Sequence, residues 1–419
     1  MLNTVSILYI VIVLSIVCGI FLTSRRVSLM MLTFFMAASM VTYVTDSQIV
    51  WALEASIVLL FKDRNSIDST AKENLPYILF IGFSIFSLTY SSNPIRGIPG
   101  VVMYVFPLLY YSLSKRALTA KSCVWRLFKR ISLSSFFYVL ICFVSFFLPE
   151  YFSVFSYYGM GICVIPALML LKSKKKVYAL FFVFCLIPPL IFVKRTPLLG
   201  IAVAMMVFLS LIYKWKALIP SIVALIMSVA LILSIPQFRE KLFYGGEEMT
   251  VKDVRKSGNI SENINMNGRT MFWAIVLDKY YEKSPYFGAG LGTVKSFLQS
   301  NKNDYREAFS LMHNDWLLVL CELGIVGVSL LLSFFIIVLR KCVKYSSRVY
   351  PIDLRFVSAA CAGSAVSTMI HMFFENCTNS FIFSTFFVYY AILNYYITQY
   401  KRKRKLCRLR FSTSLLTST

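Results

Sequence analysis

The 419-residue chain is 58% hydrophobic and only 15% charged. This excludes an ordinary water-soluble domain, which is nearer half apolar and a quarter charged, because the excess is gathered into runs long enough to cross a bilayer. A net charge of +24 would point to nucleic acid in a soluble protein, but here the tendency of cytoplasmic connections to collect Lys and Arg accounts for it, and no nucleic-acid partner is expected.

The opening segment, MLNTVSILYIVIVLSIVCGIFLTSRR, has no basic leader and no A-x-A cleavage site, and reads as a retained first span. Apolar spans are expected near 4–23, 27–44, 47–61, 75–91, 98–114, 131–149, 153–171, 177–193, 198–213, 217–235, 314–339, 355–374 and 380–398. The pair within 27–61 is short, so the expected fold is an all-α, polytopic transmembrane bundle of 11–13 spans. The expected organisation is an N-terminal bundle of about ten spans over 1–235, a large outward loop over 236–312 with short amphipathic helices, C-terminal transmembrane helices over 313–398 and a basic tail over 399–419. Ten cysteines lie mostly within apolar runs, without a CxxC pair, so neither a disulfide framework nor a metal site is suggested.

The basic residues assign sides. Alternate connections hold 29 of the 43 Lys and Arg, ending with KRKRKLCRLR from Lys401. The short connections on the other side hold only Arg96, Lys194 and Arg195, and the long segment 236–312 carries eleven cations against nine acids. The C-terminus is therefore expected in the cytoplasm, resting on anionic lipid, with the N-terminus and 236–312 outside.

Several outward features depart from this pattern. In VKRTPLLG, 193–200, Lys194 and Arg195 sit at a helix tip that the topology rule disfavours. Thr196 can cap the following helix and Pro197 suits its first turn. Arg195 then stands where backbone N–H groups attract anions, and its planar fork matches phosphate. The alternative is a snorkelling pair on lipid head groups. In TMFWAIVLDKYYEK, 270–283, Met271, Phe272, Ile275, Val276 and Tyr280 recur at helical spacing, which predicts an amphipathic helix lying on the membrane surface. Arg269 begins it, either as a second anion ligand or as a solvated arginine. SPYFGAGLG reads as a glycine-broken turn, not a nucleotide loop, since no strand precedes it.

His313, one of two histidines, opens the span LMHNDWLLVLCELGIVG, with Asn314 or Asp315 as N-cap. A neutral imidazole at an outward mouth can take a proton near neutral pH; a polar interface residue is the alternative. On a continuous helix Gly324 falls nearly in register with His313, with Gly327 close to the same face, a small stripe for close helix packing. Glu322 points the other way and reads as a structural partner of another helix, and Glu54 is similar. His371 and Glu375, one turn apart, either join the outward cavity or bond to each other.

KRTPLLG, GRTMFWAIVLDKYYEKSPYFGAGLG and HNDWLLVLCELGIVG, in this order, resemble the O-antigen ligase/polymerase superfamily of bacterial envelope glycosyltransferases over roughly 190–340. The resemblance implies a multi-pass protein of the cytoplasmic (inner) membrane. The donor would be a glycan on undecaprenyl pyrophosphate, with no cofactor and no metal because the diphosphate is already a good leaving group. Arg195 and Arg269, aided by Lys194, would clamp the diphosphate. His313 would act as general base, Asn314, His371 and Glu375 would line the substrate site, and inverting transfer would follow. A flippase and a chain-length regulator would be pathway partners. HNDWLLVLCELGIVG and SPYFGAGLG look closer to Wzy-type polymerases, which extend a chain on a new lipid-linked repeat unit. The alternatives are an O-antigen ligase, which delivers the chain to lipid A–core, and a transporter or flippase, against which stands the lack of an internal repeat.

Overall fold

The computed structural model describes residues 72–118, 120–147, 156–214, 269–300, 312–375 and 381–416, with isolated positions between 216 and 236. The spans expected at 4–23, 27–44 and 47–61, Glu54 and most of 217–235 lie outside the described residues. Every regular element among the described residues is helical: α1 (Leu75–Ser87), α2 (Pro94–Ala117), α3 (Lys121–Phe147), α4 (Tyr158–Ile162), α5 (Val164–Ser173), α6 (Val177–Ile191), α7 (Arg195–Tyr213), α8 (Arg269–Val276), α9 (Thr293–Ser300), α10 (Asp315–Tyr345), α11 (Ile352–Phe374) and α12 (Phe381–Leu416). Residues Lys121–Ser145 of α3, together with α7, α10 and α11, are long and apolar enough to cross a membrane. Shorter apolar helices accompany them over Leu75–Ser87, Tyr158–Ser173 and Val177–Ile191. The chain is an all-α, multi-pass membrane bundle.

Local chemistry sets the helix starts. Asn93 caps α2 by accepting from Arg96 N at 3.3 Å, with Pro94 preset for the first turn. Asn314 caps α10 by accepting from Leu317 N at 3.0 Å, and Asp315 follows where the helix dipole favours an acid. The sequence expectation for α7 is corrected. Its cap is Lys194, without a side-chain bond, and the helix starts at Arg195, so Thr196 is already inside. Two helices also outrun their apolar cores. α10 continues through Arg340–Lys344, and α12 runs on through the basic segment to Leu416, so 399–419 begins as a continuation of the last helix. Lys and Arg are good helix formers, and no Gly or Pro interrupts 381–416.

α11 is the spine. It packs along α7, α10 and α12, and α10 packs on α1. Its buried face is made of Ala359, Ala360, Ala362, Gly363, Ser364 and Ala365, and a Cβ at Gly363 would lie 2.6 Å from Ala204 O, so only glycine allows this approach of α7. On the other side, aromatic rings fill the space between α1, α10 and α12: Phe334 stacks on Phe387 with centroids 5.2 Å apart, and Tyr77 lies 4.8 Å from Phe387. At the start of α11, Asp353 meets Lys172 at 2.6 Å and Lys121 at 3.4 Å, which gathers basic helix ends at one pole. The starts of α4, α7, α8 and α10 gather with the end of α11 at the opposite pole.

α10 is not continuous, which corrects the expected helical register between His313 and Gly324. At Gly324 the backbone turns to φ 64°, ψ −167°. The break strips partners from the carbonyls of Cys321 and Glu322 and from the amides of Ile325 and Val326. The turn 285–290 replaces them all: Ala289 N and Gly290 N donate to Cys321 O and Glu322 O, both at 2.9 Å, and Ile325 N and Val326 N donate to Pro285 O and Tyr286 O at 2.9 and 3.2 Å. In a membrane protein such a break is tolerated only where other protein groups satisfy the backbone.

The expected surface helix is also corrected. α8 spans Arg269–Val276 and passes into a π-helical turn, Leu277–Tyr281. Its apolar residues Phe272 and Val276 are buried not in lipid but against Val294, Phe297 and Leu298 of α9, with Met312 and Cys321.

Candidate active site

Segments far apart in sequence bring polar side chains together where α11 ends. Glu375 leaves the helix in extended conformation while its N–H still donates to His371 O at 2.8 Å. Its Oε2 lies 2.8 Å from His313 Nδ1, and its Oε1 lies 3.5 Å from Arg269 Nη2. Arg269 Nη1 also donates to Phe374 O at 2.9 Å, a cation seated on a helix C-terminus, where the dipole favours it. Tyr157, just before α4, hydrogen-bonds the same carboxylate. Arg195, the first residue of α7, is half-buried and near enough to Arg269 for the two like charges to act on each other.

His313 has φ 49°, a left-handed conformation uncommon for a non-glycine residue, and its neighbours on both sides are held in place. Trp273 Nε1 donates to Met312 O at 2.9 Å, and Asn314 is fixed by its cap. The imidazole is thus delivered to Glu375 by backbone constraint.

The electrostatics follow from these contacts. Burial pushes the Glu375 carboxyl upward, but the His313 hydrogen bond and the Arg269 charge outweigh it and hold the group below the usual carboxylate range. Burial, and then the Glu375 carboxylate beside it, raises the Tyr157 phenol, which therefore stays protonated as a donor. An ionised carboxylate on Nδ1 favours the imidazole tautomer with its proton there, and Nε2 is then the basic atom. Arg195 and Arg269 repel one another, and an anion bound between them relieves that repulsion. The arrangement can therefore accept a proton and hold a polyvalent anion at one mouth.

Residues 179–332 match a family model described as O-antigen ligase. The matched stretch runs from within α6 to within α10 and contains Arg195, Arg269, His313 and Gly324. Over that stretch the match supports the resemblance to the O-antigen ligase/polymerase superfamily. No curated protein matches the chain.

In the structure the sequence-derived candidates separate. Arg269, His313 and Glu375 are in contact, with Arg195 beside them. Lys194 is exposed at the tip of α7. Asn314, expected at the substrate, is 1% exposed and its side-chain oxygen is engaged in the α10 cap, so it shapes the site from beneath. His371 is 2% exposed and lies behind the site, its ring 4.6 Å from that of Tyr157. It does not pair with the Glu375 side chain at a hydrogen bond, because Glu375 has already turned out of the helix.

Gly324 serves the docked turn, not a neighbouring helix: a Cβ there would lie 2.3 Å from Tyr286 O. At Gly327 the crowding comes from Leu323 of the same helix, 2.3 Å from an added Cβ. Glu322 does not meet another membrane-spanning helix through its carboxylate, which instead accepts the backbone N–H of Val294 at 3.0 Å. Tyr157 was not signalled by the sequence, where it is one tyrosine of a pair at the edge of an apolar run. Tyr157 and Glu375 both lie outside the family match.

Proposed function

We propose that the protein is a polysaccharide polymerase acting at the outer face of the bacterial cytoplasmic membrane. It transfers a glycan from undecaprenyl pyrophosphate to the non-reducing end of a lipid-linked repeat unit. The observation that carries this reading is the His313–Glu375 pair standing beside Arg269 and Arg195 at one end of the bundle.

In the proposed reaction an acceptor hydroxyl attacks C1 of the donor sugar. The new C1–O bond forms as the bond from C1 to the phosphate oxygen breaks. His313 Nε2 takes the hydroxyl proton, and Glu375 stabilises the resulting imidazolium at Nδ1. The electron pair of the broken bond leaves with the diphosphate, whose growing charge meets Arg195 and Arg269. Arg269 keeps donors for this role, since a guanidinium carries five N–H groups and its described contacts occupy two nitrogens. The arginines supply the charge neutralisation, so the reading requires neither metal nor nucleotide. It carries with it a flippase that delivers the repeat unit, a chain-length regulator, an outside N-terminus and a cytoplasmic C-terminus.

Deletion of the gene tests the reading. A polymerase leaves single repeat units on the final acceptor. Long lipid-linked chains with a bare acceptor instead identify a ligase, and accumulation of repeat units on the inner leaflet identifies a flippase.

A further inference from the structure

We propose that Glu322 is a positioning residue: its carboxylate fixes the N-terminus of α9 and, through α9, sets the relation between Arg269 and His313. The proposal rests on the polymerase reading for its catalytic consequence, but not for its structural one.

Glu322 is 3% exposed inside a membrane-spanning helix, roughly 10 Å along α10 from its start at about 1.5 Å per residue. A carboxylate so placed is costly unless it is well bonded. Its Oε1 accepts from the backbone N–H of Val294 at 3.0 Å, and the neighbouring amides of Gly292 and Lys295 are near enough to favour its charged form. These are the amides that open α9, where the free donors and the helix dipole favour a negative charge. The side chain thus acts as a cap supplied from another helix.

The same segment is held from two further sides. The backbone of 285–290 fills the break in α10, and the end of α1 and the loop after it supply hydroxyls. Ser87 Oγ accepts from Leu291 N at 3.2 Å, Ser91 Oγ donates to Leu291 O at 2.8 Å, and Tyr90 OH donates to Phe287 O at 2.8 Å. Gly290 has φ 89°, and a Cβ there would lie 2.5 Å from Ser91 Cα, so the turn is seated against backbone on both faces.

α9 then transmits the placement. Val294, Phe297 and Leu298 pack on Phe272 and Val276 of α8, whose first residue is Arg269. They also pack on Met312, which precedes His313 and accepts the Trp273 bond from α8. Arg269 and His313 are therefore mounted on one small apolar cluster whose deep end is tied to Glu322. Neither has to contact Glu322 for the carboxylate to set their separation.

The test uses the full chain in lipid nanodiscs, as wild type, Glu322→Ala and Glu322→Gln. Amide hydrogen exchange is followed over 269–281 and 291–300, and turnover of a synthetic undecaprenyl-pyrophosphate-linked repeat unit is measured at equal amounts of inserted protein. Loss of a cap raises local opening roughly tenfold. Exchange at 293–295 is expected to rise by about that factor in the Ala variant, with faster exchange also in α8 and a raised KM for the donor. The Gln variant keeps one acceptor and the side-chain volume, so it shows a smaller rise and serves alone if the Ala variant does not insert. Unchanged exchange at 293–295 in the variants that insert overturns the cap. Faster exchange there with unaltered α8 and unaltered turnover overturns the positioning role. If the wild type turns over no lipid-linked donor, the polymerase reading falls, and the exchange of α8 still decides this proposal.

Discussion

Replacing Glu375 by Gln probes the centre of the site with little change of shape. The carboxylate is 18% exposed and bonds His313 Nδ1 at 2.8 Å, so it is a largely desolvated, charge-assisted contact. Hydrogen bonds of this kind contribute about 1.5–3 kcal/mol. If that contribution grows in as the imidazole gains its proton, its loss lowers kcat by roughly 10- to 150-fold. The same change frees Arg269 from a 3.5 Å ion pair worth at most about 1 kcal/mol at this exposure. A freed arginine is more available to the diphosphate, so KM for the lipid-linked donor stays level or falls by up to about fivefold. The assay is steady-state transfer between synthetic lipid-linked repeat units, resolved by mass spectrometry. A kcat within about threefold of wild type refutes the dyad. A collapse of donor binding with kcat intact shows that Glu375 serves the substrate and not the histidine.

Arg195→Lys keeps the charge but removes the planar fork, so transfer is expected to fall by about tenfold or more, and full activity in the same assay removes bidentate clamping from the account. Gly324→Ala places a Cβ 2.3 Å from Tyr286 O at φ 64°, so it costs about 2 kcal/mol or more, read as a lower thermal midpoint in detergent. The Glu375 carboxyl lies below its unfolded value of 4.5, so the stabilisation it provides is present above that pH and lost as pH falls through the lowered value. Acidification from pH 6 through this window is expected to lower the thermal midpoint of the wild type more than that of Glu375→Gln, and equal slopes would count against the ionised contact.

The parts of the fold that follow from local chemistry were legible in the sequence. The apolar runs, the Asn-Asp start of α10 and the apolar spacing of α8 each announce their element. What was hidden depends on partners distant in the chain. A glycine inside an apolar helix reads as a packing residue, and only the turn 285–290, some thirty-five positions earlier, makes Gly324 a break. α9 is eight residues long, too short to display a period, so the sequence offers the apolar face of α8 only the membrane surface, whereas its partner is α9. The site was partly readable for a different reason. Lys194 and Arg195 in a short connection of a kind otherwise poor in cations, and a histidine at a span mouth in a chain with two histidines, stand out. The pairing of Glu375 was not readable, because its spacing from His371 suggests a helical pair. The structure ends the helix at Phe374 and turns the carboxylate to His313 instead.

The most direct measurement is chain growth by the purified, full-length protein in nanodiscs supplied only with synthetic lipid-linked repeat unit. Wild type and His313→Ala are compared at equal amounts of inserted protein. The account predicts dimers and longer chains from the wild type, with one undecaprenyl pyrophosphate released per bond formed, and none from the variant. Chains of the same length, formed at the same rate by His313→Ala, would contradict it.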